Sequence, residues 1–485
     1  MRPALLALAL TLAPLAPAPA RAQRAAPPAP AAAARLTTAR AILAAEDRAD
    51  TTDVALRAAL AGNDTTLARL ARRAIARMRD PRFAARDSFA VSAPSVTWPE
   101  APWRLRLRAL KRPAGDCAPL REALADSAVP VRLRAMDLVD ASCATDSALV
   151  RALRYAVNAL PAQATRRAAG APSWHLGAHA VVALARTGAP EALASMRTLA
   201  RHAEWHVRAY AARAATVLAD TVTLRHLADD PNDNVAEAAA EGLSKLGGHA
   251  FDAVYLVAIR RAGAQAVRAA AAALKGSSDP AAVRAASAAF DRWAAKGVAS
   301  ARDARLALLE AAGRPASDDR PPSHRRPLPP EAAELALGKA VTIRVTMAPT
   351  SGGGTFDVRV RGDLAPIMGA RLLALVRQRY YDGLTWHRVE HDFVIQGGSP
   401  GANEYVGLDE FLVDELGTIA HPRGTVGMST RGHDTGDAQW FVNLRDNARL
   451  LRDYTVWGEV VAGMEVVDGI LEGDVIQRMV VLPAR

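Results

Sequence analysis

The stretch Trp386-His387-Arg388-Val389, then Glu390-His391-Asp392, then Phe393-Val394-Ile395-Gln396-Gly397-Gly398 says most about this chain. A strand-like run ends in a Gly-Gly turn. Within it stand a cation, an aromatic ring and an amide side chain. Arg388 offers a permanently charged donor, Phe393 an apolar face, and Gln396 both a donor and an acceptor. That set suits a groove that grips an extended peptide and hydrogen-bonds one of its amides.

The surrounding residues follow the same pattern. Val341-Thr342-Ile343-Arg344-Val345 alternates, and Phe356-Asp357-Val358-Arg359-Val360 follows a Gly-rich turn, which predicts a hairpin. The turn itself, Ser351-Gly352-Gly353-Gly354, lacks the Lys-Ser/Thr and helix of a phosphate loop. Ala370 to Arg379 reads as a helix, and further strands and Gly-rich loops continue to Leu482. His387 and His391 are four apart, but on a strand followed by a loop, so the spacing does not make a helical metal pair. His421 and His433 read as loop residues. No metal is expected.

Upstream the pattern changes. Residues 313–332 carry Pro315, Pro321, Pro322, Pro327, Pro329 and Pro330, an extended linker. From about residue 36 to 312 apolar residues recur at helical spacing, as in Leu67, Leu70, Ala71 and Ile75. A longer period overlies it. Pro130-Val131-Arg132, His206-Val207-Arg208, Asn234-Val235-Ala236 and Ala266-Val267-Arg268 each open a helix that runs into an Ala-rich stretch. This resembles HEAT-type repeats, helix pairs that hide an apolar stripe against the next pair. The alternative is a plain helical bundle. Pro94 to Pro102 interrupts the array. No metal, nucleotide or nucleophile motif stands in this region, so it is expected to bind clients or a protein partner and to carry no chemistry.

The N-terminus reads as a secretory signal over residues 1–22, with Arg2, the apolar run Leu5–Leu15 and the small-residue site Ala20-Arg21-Ala22. Pro14 and Pro17 interrupt it, and a membrane-spanning helix needs about 20 apolar residues. Residues 23–35 read as an Ala/Pro-rich flexible tether. The mature chain is therefore expected to be exported, periplasmic or secreted, with no membrane span. The net charge of +11 is mostly Arg, but no recognition-helix motif accompanies it, and nucleic acid is not expected as a partner. Cys117 and Cys143 are the only cysteines. They cannot make a four-ligand zinc site; a disulfide and two separate thiols both remain open.

Six blocks in the last third fall in one order: Asp363-Leu364-Ala365-Pro366; Tyr380-Tyr381-Asp382-Gly383-Leu384-Thr385-Trp386-His387-Arg388-Val389; Phe411-Leu412-Val413-Asp414-Glu415; His421-Pro422-Arg423-Gly424-Thr425-Val426-Gly427-Met428-Ser429; Gln439-Trp440-Phe441-Val442; and Tyr454-Thr455-Val456-Trp457-Gly458-Glu459-Val460. Over about residues 340–482 they resemble the cyclophilins, the peptidyl-prolyl cis-trans isomerases. The fold class implied is a multidomain chain: an all-α HEAT-like solenoid over 36–312, then, across 333–485, a cyclophilin-like closed antiparallel β-barrel of eight strands with two capping helices.

The resemblance implies catalysis by Arg388, with Gln396 holding it or the substrate backbone. Phe393, Phe441 and Leu450 would hold the proline ring. Gln439 would line the groove, and Ser429 and Thr430 would present main-chain groups to the peptide. No cofactor is implied, and the partners are proline-containing polypeptides. Departures from the family are Val394 after the pocket Phe, Thr430 in place of Asn, Trp440 in place of Phe, Tyr454 in place of His, and His391-Asp392 in place of Pro-Gly. Arg449 stands near the position of the Trp that helps bind cyclosporin, which implies weak inhibition. The competing expectation is a non-catalytic scaffold that only binds proline peptides.

Overall fold

A computed structural model describes residues 30–79, 93–112, 115–160, 173–320, 327–408, 410–417 and 419–483. The expected signal segment, 1–22, lies outside the described residues. Three helices come first: α1 (Pro30–Asp47), α2 (Val54–Ala61) and α3 (Thr65–Arg79). Residues 30–35, expected as part of a tether, are helical. Ala is the best helix former, and Pro is tolerated in a first turn.

The sequence pattern also assigns these helices to the solenoid, and their packing does not. Ile42, Leu43, Leu56, Leu70 and Ala74 share one hydrophobic cluster with Ile343, Val358 and Leu372 of the C-terminal domain. An apolar stripe shows that a helix has a face to bury; it does not name the surface that covers it. Residues 93–101 then run extended as a strap. Ser95 donates through N–H and Oγ to the Glu459 carboxylate at 2.9 and 2.6 Å, and Trp98 Nε1 donates to the Val460 carbonyl at 3.0 Å.

The array starts beyond α4 (Pro102–Ala109). It comprises α5 (Ala118–Ala123), α6 (Val129–Leu138), α7 (Ser147–Asn158), α8 (Trp174–Thr187), α9 (Ala192–Leu199), α10 (Trp205–Val217), α11 (Thr221–Leu227), α12 (Asp233–Gly247), α13 (Asp252–Ala258), α14 (Ala264–Leu274), α15 (Pro280–Lys296) and α16 (Arg302–Ala311). Helices pair as α7–α8, α11–α12, α13–α14 and α15–α16. Helices α8, α10, α12, α14 and α16 stack in succession over a common core rich in Ala. Small side chains let helix axes approach closely, as a repeat array requires. Each expected Val-Arg/Ala triplet stands at the start of its helix, α6, α10, α12 or α14. The Arg of the triplet can tie one repeat to the next. Arg208 bridges to Asp230 of the following loop with bonds of 2.7 and 2.9 Å.

Cys117 and Cys143 are bridged, with Cα atoms 5.7 Å apart and a sequence separation of 26. The bridge ties the start of α5 to the turn before α7. Closing a loop of this length in the unfolded chain contributes on the order of 3 kcal/mol. Cys117→Ser with Cys143→Ser is expected to lower the array's urea midpoint accordingly, and an unchanged midpoint would show that the bridge constrains nothing.

After α17 (Glu331–Ala336) the strands begin: β1 (Thr342–Met347), β2 (Thr355–Val360), β3 (Thr385–Val389), β4 (Val394–Ser399), β5 (Thr425–Met428), β6 (Trp440–Asn443), β7 (Val456–Ala462) and β8 (Ile476–Val481). They form one antiparallel sheet ordered β3-β4-β6-β5-β7-β2-β1-β8. Its two edges meet where Thr385 bridges Val475 and Ile476 N–H donates to the Leu384 carbonyl at 2.8 Å, so the barrel is nearly closed. The capping helices are α18 (Pro366–Arg377) and α19 (Met464–Asp468). Helix α18 starts four residues earlier than its apolar pattern suggests, with Pro366 in its first turn and Glu415 accepting from the Ile367 and Met368 N–H groups at 3.2 and 2.7 Å. Trp386, Trp440 and Trp457 fill the barrel, each at most 1% exposed.

Candidate active site

Strand register sets the central row of the site. Arg388 stands opposite Gln396 in the β3–β4 pair, Gln396 opposite Phe441 in β4–β6, and Phe441 opposite Gly427 in β5–β6. Paired residues share a face of the sheet. That face is not the barrel interior. Trp440 and Val442, on either side of Phe441, belong to the main core; Phe441 clusters separately with Val394 and Leu450, and Phe393 and Tyr454 pack against them. Gly427 is required beneath the ring, since a Cβ there would stand 2.3 Å from Phe441.

Simple alternation would put Arg388 on the same face as the core residue Trp386. The ladder shifts between them, with Trp386 opposite Gly397 and Arg388 opposite Gln396. That bulge at His387 turns Arg388 outward. Its guanidinium is then held from several sides. Nη1 donates to Glu404 Oε1 at 2.8 Å and to Gln396 Oε1 at 3.4 Å, and Nε donates to Glu390 Oε1 at 2.8 Å. Gln396 Nε2 donates to Gln439 Oε1 at 3.1 Å, and Gln439 Nε2 in turn to the carbonyls of Glu404 and Val406. The chain of amides leaves the Gln396 oxygen facing the arginine. Burial pulls the Arg388 pKa down, but Glu404 and Glu390 outweigh it and the net shift is upward.

The apolar wall is fixed by the backbone. The Phe393 carbonyl accepts from Leu444 N–H at 3.0 Å and from Asn447 Nδ2 at 3.1 Å. The Arg449 guanidinium lies 4.0 Å from the Phe393 ring centroid, a cation–π contact. Tyr454 meets Phe441 edge-on at 5.8 Å. His391 and Asp392 are held from α4, His391 edge-on to Trp103 at 5.9 Å and Asp392 3.7 Å from Arg108. Arg388, Phe393, Val394, Gln396, Ser429, Thr430, Phe441, Leu450 and Tyr454 thus enclose one cavity of about 210 Å³.

One expectation needs correction. Gln439 does not line the cavity; it is 1% exposed and sits behind Gln396 as its partner. The Ser429 N–H donates to the Gln439 carbonyl at 2.9 Å, and Ser429 and Thr430 both line the cavity.

The sequence reading also missed members of the site. Glu390 follows Arg388 by two residues, the same-face spacing of a strand, and that was a usable signal. Glu404 and Arg431 come from loops and carry none. His421, expected as an ordinary loop residue, lies behind Phe441 with ring centroids 6.1 Å apart and hydrogen-bonds the Tyr454 carbonyl at 3.2 Å. Burial holds its imidazole down at about 4, so it packs as a neutral ring.

The arrangement places a fixed cation and an amide oxygen at the edge of a cavity with one apolar wall. The family description "Cyclophilin type peptidyl-prolyl cis-trans isomerase/CLD" matches residues 344–483. A peptidyl-prolyl cis-trans isomerase of Helicobacter pylori (strain J99) is 30% identical over 149 residues, covering 30% of this chain and 91% of the relative. The chain belongs to the cyclophilin family. Peptidyl-prolyl cis-trans isomerase B of Bacillus subtilis (strain 168) is 31% identical over 129 residues, covering 26% of this chain and 90% of that protein. The crystal structure of a Cryptosporidium parvum cyclophilin type peptidyl-prolyl cis-trans isomerase matches with 19% identity and a TM-score of 0.28, covering 30% of this chain and 100% of the other. The cyclophilin family match falls on the barrel, and the helix array lies before it.

Proposed function

We propose that this cyclophilin catalyses cis-trans rotation about X–Pro bonds of exported polypeptides, with Arg388 as the catalytic residue. The observation that carries the reading is the register row Arg388–Gln396–Phe441, which sets a charged donor opposite the apolar wall of one cavity. Resonance stiffens the amide C–N bond, and its rotation barrier is roughly 20 kcal/mol. No bond breaks, so neither nucleophile nor metal is needed. Half-way round, the proline nitrogen becomes pyramidal and accepts a hydrogen bond that neither planar form can accept. A preorganised donor there stabilises the twisted amide selectively. Phe393, Phe441, Leu450 and Val394 hold the ring, Gln396 positions Arg388, and Ser429 and Thr430, which line the cavity, present main-chain groups to the peptide.

Export is supported by the apolar run Leu5–Leu15 with its small-residue site, and by the Cys117–Cys143 bridge, a feature of oxidising compartments. No described helix is long and apolar enough to cross a membrane. The test is a protease-free isomerisation assay on the full chain. The barrel from residue 333 onward is a poor substitute, because α1–α3 complete its core. Turnover of an Ala-Pro peptide supports the reading, and binding without turnover would leave a proline-binding scaffold.

Arg449 over Phe393 bears on inhibition. Cyclosporin is expected to inhibit weakly, and nanomolar inhibition in the same assay would contradict that.

A further inference from the structure

A second, larger cleft of about 660 Å³ lies between the helix array and the barrel, a size typical of ligand clefts, ~300–1,000 Å³. Arg388 and Glu404 line both it and the proline cavity. A chain leaving the proline cavity across that pair therefore enters the cleft. Its geometry is fixed, because the 401–405 loop that separates the two spaces is fastened to the array. Asn234 Nδ2 donates to the Gly401 carbonyl at 3.0 Å, and Asn403 Nδ2 donates to Asn234 Oδ1 at 3.0 Å. Arg268 lies 4.3 Å over the Tyr405 ring, and Arg431 pairs with Asp303 on α16.

The charges of the cleft are unevenly satisfied. Three of its acids are ion-paired, Glu404 with Arg388 and Glu237 and Glu241 with Arg268, while Glu472 accepts only from the neutral Tyr210 hydroxyl at 2.9 Å and keeps its charge. Two of its cations are not ion-paired either. Lys245 on α12 and Arg213 on α10 are exposed and, among the described residues, form no ion pair. Arg213 lies over the Tyr210 ring at 4.4 Å and feels Glu472 only at longer range. A third cation, Arg186 on α8, donates to the Asp137 carbonyl, not to a carboxylate. The lining carries five cations, Arg186, Arg213, Lys245, Arg268 and Arg388, against four carboxylates, Glu237, Glu241, Glu404 and Glu472, an excess of one positive charge, and low-dielectric walls concentrate its field.

We propose that this cleft is an extended substrate subsite for client segments that carry Asp or Glu beside the X–Pro bond, the acidic flank lying along Lys245 and Arg213 while the proline occupies the cavity at Arg388. This rests on the isomerase reading and specifies its substrate class. The helix array is then the part of the enzyme that selects clients by charge.

The experiment compares three peptides of one length around Ala-Pro, with Ala-Ala, Glu-Glu or Lys-Lys placed on each side of the bond in turn. The full chain is used, and both kcat/KM and Kd by fluorescence anisotropy are read. At low salt the Glu-flanked peptide is expected to be favoured over the Lys-flanked one roughly three- to tenfold, the range one or two exposed ion pairs supply. The preference should sit in KM and Kd and fade at about 0.5 M salt, where the Debye length falls to a few ångströms. Lys245→Glu, at an exposed position with no partner to lose, is expected to bring the Glu/Lys ratio to near one, and Arg213→Glu to do the same. Equal values for the two flanks, or a preference that survives both variants, would overturn the proposal. If no peptide is turned over, it is the isomerase reading that fails. The anisotropy values still decide the cleft, with tighter binding of the Glu-flanked peptide supporting it and equal binding refuting it.

Discussion

Arg388→Ala lowers kcat/KM for an Ala-Pro peptide by about 10²–10³-fold, the usual cost of removing one preorganised transition-state donor. The loss falls on kcat, because the apolar walls proposed to hold the proline, Phe393, Phe441 and Leu450, are untouched. Arg388→Lys recovers little. An ammonium keeps the charge but not the planar fork that reaches Glu404, Glu390 and Gln396 together. The fold survives both changes: the two ion pairs of Arg388 join side chains that are 38–50% exposed, and such pairs contribute at most ~1 kcal/mol each. Far-UV circular dichroism and buried-Trp fluorescence should match the parent. The rate should also be flat across neutral pH, since the arginine stays charged and His421, at about 4, is neutral throughout. Parental kcat/KM in a folded Arg388→Ala protein would remove the assigned mechanism.

Much of the barrel was legible because its information is local. The β1–β2 hairpin follows from alternation on either side of a Gly run, and β3 and β4 from the apolar run that ends at Gly397-Gly398. The cavity residues were legible from resemblance alone: nothing in the spacing of Phe393, Phe441 and Leu450 separates a substrate wall from barrel core. What was not legible depends on distant contacts. The bulge at His387 that turns Arg388 outward is a property of the pair β3–β4, not of either strand. Glu404 meets Arg388 because Asn234 and Arg268, far off in sequence, fasten its loop. The disulfide pairing needed the three-dimensional proximity of two repeats. The role of α1–α3 was the largest error. Their amphipathic pattern is indistinguishable from that of the array helices, and only packing shows that they cover the barrel.

That packing has a keystone in Arg77. Arg77→Ala is expected to destabilise the barrel by about 3–5 kcal/mol, the cost of breaking a buried ion pair on one side. The residue lies on α3 and is 5% exposed. Its Nη1 donates to Glu46 of α1 at 3.0 Å and stands 3.7 Å from Glu415 Oε1. Its Nε and Nη2 donate to the carbonyls of Leu416, Leu364 and Glu415 at 2.9, 2.6 and 3.2 Å. One side chain therefore joins the N-terminal helices to the loop that caps α18. Alanine leaves two buried carboxylates and three carbonyls without it, and Arg77→Lys keeps a charge that cannot reach them all. The loss should depend on pH, and its sign follows from Glu415. Burial already holds that carboxyl above the usual carboxylate range against the opposing pull of Arg77. Without the guanidinium it rises further. A folded-state pKa above the unfolded value of ~4.3 means the native state binds the extra proton, so stability falls as pH rises from that value through the folded one. The variant should therefore lose more stability relative to parent at pH 8 than at pH 5. Urea melts followed by the fluorescence of Trp386, Trp440 and Trp457, all inside the barrel, read the effect directly. A loss below about 1 kcal/mol, or one that shrinks as pH rises, would mean that α1–α3 rest on the barrel without stabilising it.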